Sequence, residues 1–116
     1  MKRKITSFTI KYWSIALAGI AFIADASAAC TRESLQELTD TYVEAQTTGN
    51  AAMLPLAAAA YYGENDKPTD IAEGMLSEAI TADFTRSFFD TTLCATFTEF
   101  VAATHEHPYV IHTRME

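Results

Sequence analysis

An arginine set between two phenylalanines at strand spacing, Phe84-x-Arg86-x-Phe88, is the segment of this chain best suited to chemistry. A period of two puts Phe84, Arg86, Phe88 and Asp90 on one face and Thr85, Ser87 and Phe89 on the other. If the first face lines a cavity, Arg86 can hold a carboxylate or enolate bidentately beside aromatic walls. If it meets water, Arg86 pairs with one of the many carboxylates and lays its stem over the rings. His112 and Arg114 share a face in the same way and offer an acid/base group beside an anion-binding group. His105-x-His107 has the spacing of two metal ligands on a strand, but a structural zinc takes four protein ligands and a catalytic one three. Pro108 favours a solvated turn there, so no metal and no cofactor are expected. Tyr61, Tyr62, Glu64 and Asn65 fall at a strand end, where a pocket would open, although Asn65-Asp66 near Gly63 and Pro68 is turn chemistry. The candidate catalytic groups are therefore His112, Arg86 and Asp90, and the candidate pocket residues are Tyr62, Phe84, Phe88 and Phe97.

The elements that must position these groups follow from the apolar period. Leu35, Leu38, Tyr42 and Ala45 recur at three and four, with Thr31 to cap, Glu33 and Glu37 early and Gly49 to end, which predicts an amphipathic helix of about four turns. Asn50 can cap a second short turn over Ala51–Leu54, where Pro55 stops it. Ala58–Tyr62 reads as a strand running into the turn Gly63–Pro68, with a helical reading left open by its alanines. Asp70 and Glu73 form a cap-and-reach-back pair for a short helix over Ile71–Leu76, weakened by Gly74. From Thr81 the period becomes two, predicting strands over Phe84–Asp90, Leu93–Val101 and Tyr109–Met115, with Asp90-Thr91-Thr92 as a hairpin turn.

Residues 1–28 read as a secretory signal: Met1-Lys-Arg-Lys, an apolar run of about ten residues, then Ala26-Ser-Ala28 before the cut. A spanning helix needs about twenty apolar residues, so the alternative of a membrane anchor is weaker and no membrane association is expected after cleavage. The mature chain from Ala29 keeps Arg32, Lys67, Arg86 and Arg114 against fourteen carboxylates, a formal charge of −10. Such a surface repels phosphate backbones, which argues against a nucleic-acid partner. An exported chain with two cysteines, Cys30 and Cys94, predicts one disulfide that ties the N-terminus to a strand. The alternative, a catalytic thiolate at Cys94, has no His or Lys beside it in sequence to lower its pKa.

Helix, short helix, strand, short helix and consecutive long antiparallel strands resemble the nuclear-transport-factor-2-like fold, the cone-shaped family that includes SnoaL-like polyketide cyclases and ketosteroid isomerases. Cys30-Thr-Arg-Glu-Ser-Leu35, Leu54-Pro-Leu-Ala57 and Tyr62-Gly-Glu-Asn65 also resemble a group of secreted, mostly fungal proteins of unknown function. The resemblance implies a single α+β domain over 29–116, with N-terminal helices packed on a curved antiparallel sheet around a cone-shaped pocket. It implies binding or isomerisation of a small apolar molecule; the alternative, independent of the resemblance, is a non-catalytic secreted protein-interaction module that forms a homodimer through its exposed sheet. The alternating pattern still running at Met115 predicts one or two further strands beyond Glu116 and an open sheet edge without them.

Overall fold

The computed structural model describes residues 30–116, so the expected export signal at 1–28 lies outside the described residues. They form an α+β fold of one α-helix and two antiparallel sheets. Helix α1 spans Arg32–Thr48. Thr31 caps it through Oγ1, which accepts the Ser34 N–H at 3.1 Å, and Gly49 ends it with φ 66°. A Cβ at Gly49 would come within 2.9 Å of Ala79 N and Ser77 O, so glycine there satisfies both the backbone sign and a close chain crossing. Asn50 caps a 3-10 turn, Ala51–Met53, as its spacing predicts.

The expected strand over Ala58–Tyr62 does not form. Pairing begins one residue later, in a short hairpin of β1 (Gly63–Glu64) and β2 (Lys67–Pro68). Asn65 and Asp66 both take positive φ, 48° and 63°, as a two-residue primed turn requires. The expected helix over Ile71–Leu76 is instead a turn capped by Asp70, whose Oδ1 accepts the Ala72 N–H at 2.9 Å, followed by a 3-10 turn at Met75–Ser77. Gly74 interrupts it with an extended backbone, φ −85° and ψ −175°, at a point where a Cβ would press on the Tyr62 ring and Glu64 Oε1, both at 2.6 Å.

The main sheet is β3 (Phe84–Asp90), β4 (Ala95–Ala102) and β5 (Tyr109–Met115), antiparallel in the order β3-β4-β5. Its register pairs Phe88 with Phe97, and aligns Arg86 with Glu99 and Glu99 with His112. Cys94, expected inside a strand, sits in the hairpin loop before β4 with φ 53°. Asp90 makes that loop longer than Asp90-Thr91-Thr92 alone, since its Oδ1 accepts the N–H groups of both Thr92 and Leu93 at 2.9 Å. Cys94 is bonded to Cys30, with Cα atoms 5.3 Å apart, so the start of α1 is fastened to the sheet.

The inner face of the sheet meets α1. Tyr42, Ala45, Leu54, Tyr62, Leu76, Ile80, Phe100, Ala102 and Met115 form the buried core. Much of the inner face is hydroxyl-bearing: Thr96, Thr98 and Thr113 are buried there. Thr113 Oγ1 donates to the Tyr42 hydroxyl at 2.7 Å, joining β5 to α1 across 71 residues of sequence, and Thr98 shares a 3.0 Å hydrogen bond with Ser87. Paired hydroxyls are tolerated in a core, and their small side chains leave room for the Tyr42 ring, which meets Phe100 edge-on.

Candidate functional site

Because the threonines turn inward, the strand period turns the phenylalanines outward. Phe84, Phe88, Phe97 and Val110 are 52%, 55%, 41% and 65% exposed. The register sets them on one face of three adjacent strands. An alternating strand normally hides such residues and exposes its threonines. Four large apolar side chains on one solvent-facing sheet surface are an unusual exposure for a small acidic chain.

A charged row crosses the middle of this face. Arg86 Nη2 lies 2.9 Å from Glu99 Oε2, and His112 Nε2 lies 3.6 Å from Glu99 Oε1, an ion pair when the imidazole is protonated. The Arg86 guanidinium also sits 5.4 Å from the Phe88 ring centre, and the His112 ring lies 5.6 Å from Phe97. Arg114 pairs with Glu116 at 3.2 Å. Two arginines meet three carboxylates here, Asp90, Glu99 and Glu116, a formal charge of −1, while the described residues as a whole carry four cations against fourteen carboxylates.

The site residues expected from sequence are therefore divided by the sheet. Phe84, Phe88, Phe97, Arg86, His112 and Asp90 share the outer face, whereas Tyr62 lies in the core under α1. Among the described residues, Tyr62 and the three phenylalanines are therefore kept apart by the sheet. Arg86 is the solvent-facing ion pair of the two readings, and Asp90 serves the hairpin. A hollow of about 230 Å3 beside that hairpin is lined by Phe88, Leu93 and Phe97 together with Asp90 and Arg114. His105 and His107 form a local turn, in which His105 Nδ1 meets the His107 N–H at 3.1 Å. Among the described residues, no three His, Cys, Asp or Glu side chains are grouped as a metal site.

Tyr62 has a different role from pocket lining. Its hydroxyl donates to Glu64 Oε1, which also accepts the Met75 N–H. Burial, reinforced by the adjacent Glu64 carboxylate, pushes the Tyr62 phenol well above the usual tyrosine range and keeps it a neutral donor. Glu64 thereby ties the small hairpin to the 3-10 turn. Gln46 ties the same turn to α1, since its Nε2 donates to Met75 O at 2.9 Å and Glu78 O at 3.0 Å. A cleft of about 300 Å3 opens beside these residues, along β5. Nothing in the sequence singled out Gln46, because one glutamine on a helix carries no motif. Comparison with known protein families, characterised proteins and solved structures finds no match to this chain.

Proposed function

We propose that this is a secreted binding module that works through the outer face of its β-sheet, and that the occupant of that face is a second copy of the chain. The observation that carries the reading is the shared exposure of Phe84, Phe88, Phe97 and Val110. Burying them gains hydrophobic free energy at about 25 cal/mol per Å2. Charge selects the occupant: two acidic copies repel one another over most of their surfaces, and this near-neutral face is where they approach at least cost. Seven-residue strands at about 3.3 Å per residue and three strands at about 4.8 Å spacing give a face of only about 20 by 15 Å. That is small beside the roughly 800 Å2 per partner of a standard interface, so the association is reversible and concentration-dependent.

The helix-on-sheet arrangement supports a nuclear-transport-factor-2-like cone as the wider architecture. In this reading the cone's interior is filled by Tyr42, Phe100 and Met115. A second reading, capture of a small apolar molecule, is favoured by the hollow between Phe88, Leu93 and Phe97, where Arg114 could meet an anionic group on the ligand. Light scattering on the purified protein and on Phe88→Glu separates the two. Self-association through the face gives a mass that rises with concentration in the parent and stays monomeric in the variant. A parent that remains monomeric at every concentration, yet binds apolar dyes in a Phe88-dependent way, supports the small-molecule reading instead.

A further inference from the structure

A second opening lies on the opposite side of β4 from β3, at the free edge of β5. One wall of this cleft is five consecutive β5 residues, 109–113, and the other is 63–65 of the small hairpin, with Gln46 and Met75 completing the lining. At about 3.3 Å per residue, the β5 wall offers roughly 13 Å of strand edge. Among the described residues β5 pairs only with β4, so its second side carries unpaired backbone donors and acceptors. Natural sheets blunt such edges with prolines, inward charges or covering loops. Tyr109–Met115 contains no proline and no lysine, and the small hairpin stands across the cleft from it.

Two further observations bear on the occupant. The Gln46 side chain is buried, and its Oε1 has no hydrogen-bond partner among the described residues, although its Nε2 is used twice. Gln46 is among the residues that line the cleft. Acidic groups outnumber basic ones around the opening: Glu64 lines it, Asp66 follows in the hairpin turn and Glu78 reaches the Tyr109 hydroxyl at 3.4 Å, against the single cation Lys67 opposite Glu64 in the hairpin. We propose that this cleft receives an extended, basic peptide segment of another protein, which adds to β5 as a strand and turns a lysine or arginine toward Glu64. Backbone pairing supplies the affinity, and the acidic wall supplies the preference for a cationic strand. The cleft wall runs through Val110 and His112, which also belong to the outer face, but it opens at the β5 edge and includes none of Phe84, Phe88 and Phe97.

The test is amide-resolved NMR titration of the purified protein with three nine-residue probes: an alternating lysine–valine peptide, its glutamate–valine counterpart, and the lysine peptide N-methylated at alternate residues. The proposal expects saturable shifts from the lysine peptide, concentrated at 109–113 and 63–65, with slowed exchange of the β5 edge amides. It expects at least tenfold weaker binding of the other two probes. Glu64→Gln, which keeps an acceptor for the Tyr62 hydroxyl, is expected to weaken the lysine peptide about fivefold at low salt, and added salt is expected to do the same to the parent. Phe88→Ser is expected to leave the titration unchanged. Absence of saturable shifts at millimolar peptide, equal binding of the glutamate or N-methylated probe, or shifts confined to β3 and β4 would each overturn the proposal. So would β5 edge amides already protected in the free protein by a second copy.

Discussion

Replacing Tyr42 with phenylalanine deletes the acceptor of the Thr113 Oγ1 hydrogen bond at 2.7 Å, in the middle of the contact between α1 and β5. Both residues are fully buried, so neither hydroxyl can turn to water. Leaving the Thr113 donor unpaired costs about 1–3 kcal/mol, and for a chain of this length 2 kcal/mol corresponds to a fall in Tm of roughly 10 °C. Thr113→Val is expected to cost a similar amount because it strands the tyrosine hydroxyl, while the double variant costs less than the sum by about 1 kcal/mol. The pair also has a pH signature. Burial, partly offset by the Thr113 bond, pushes the Tyr42 phenol from 10 to about 12. The folded state thus favours the neutral phenol, and the stability it contributes is complete below the unfolded pKa near 10 and lost as pH rises through about 12. Two pKa units correspond to about 3 kcal/mol at the upper limit. Urea unfolding followed by far-UV circular dichroism at pH 7 and between pH 9 and 12 measures both effects. The parent is expected to lose more stability than Tyr42→Phe across the alkaline range, with Tyr62 adding the same residual loss to both. Equal losses in the two proteins, or strictly additive single variants at pH 7, would refute the reasoning.

Reducing the Cys30–Cys94 bond, which closes a loop with a sequence separation of 64, is expected to cost about 4 kcal/mol in the chain-entropy description, read as a lower urea midpoint with and without reductant. Gly49→Ala places a Cβ on a positive-φ residue against the chain at Ser77–Ala79 and is expected to destabilise by more than 1 kcal/mol, measured in the same assay. Arg86→Met removes an exposed ion pair and is expected to change stability by less than about 1 kcal/mol, whereas a buried anion-binding arginine would be far more costly to replace.

Much of this fold can be read locally. Thr31 and Gly49 delimit α1 because capping needs only a side chain and a φ sign at fixed offsets, and Asn65-Asp66 marks its turn for the same reason. The Cys30–Cys94 disulfide is legible from a pair of cysteines read together with the expected export signal, although the alternating pattern places Cys94 in a strand. Leu93-Cys94 continues the alternating pattern in sequence, and only Asp90, by taking two backbone N–H groups, draws them into the loop. Ala58–Tyr62 misleads in another way, since a run of alanines offers little side-chain surface for a neighbouring strand to cover.

The candidate site was legible in part. Period two correctly grouped Phe84, Arg86, Phe88 and Asp90, and the register adds Phe97 and His112 to the same face. It could not say which face meets the helix. Hydrophobicity would turn the phenylalanines inward, but the helix brings Tyr42, which pairs with Thr113, and β4 and β5 already supply Phe100 and Met115 from the other face. Tyr62 is separated from the group for the same reason. Gln46 and the cleft along β5 arise from contacts between segments far apart in the chain, which no local pattern encodes.

The most direct measurement of the central claim is a dilution series followed by NMR of the phenylalanine rings and backbone amides. If two copies meet through the outer face, the rings of Phe84, Phe88 and Phe97 and the amides of Glu99 and His112 shift together with concentration. The amides of α1 and of residues 75–80 remain still, and Phe88→Glu abolishes the shifts. Spectra that do not change with concentration, or that change first along α1, would contradict the account.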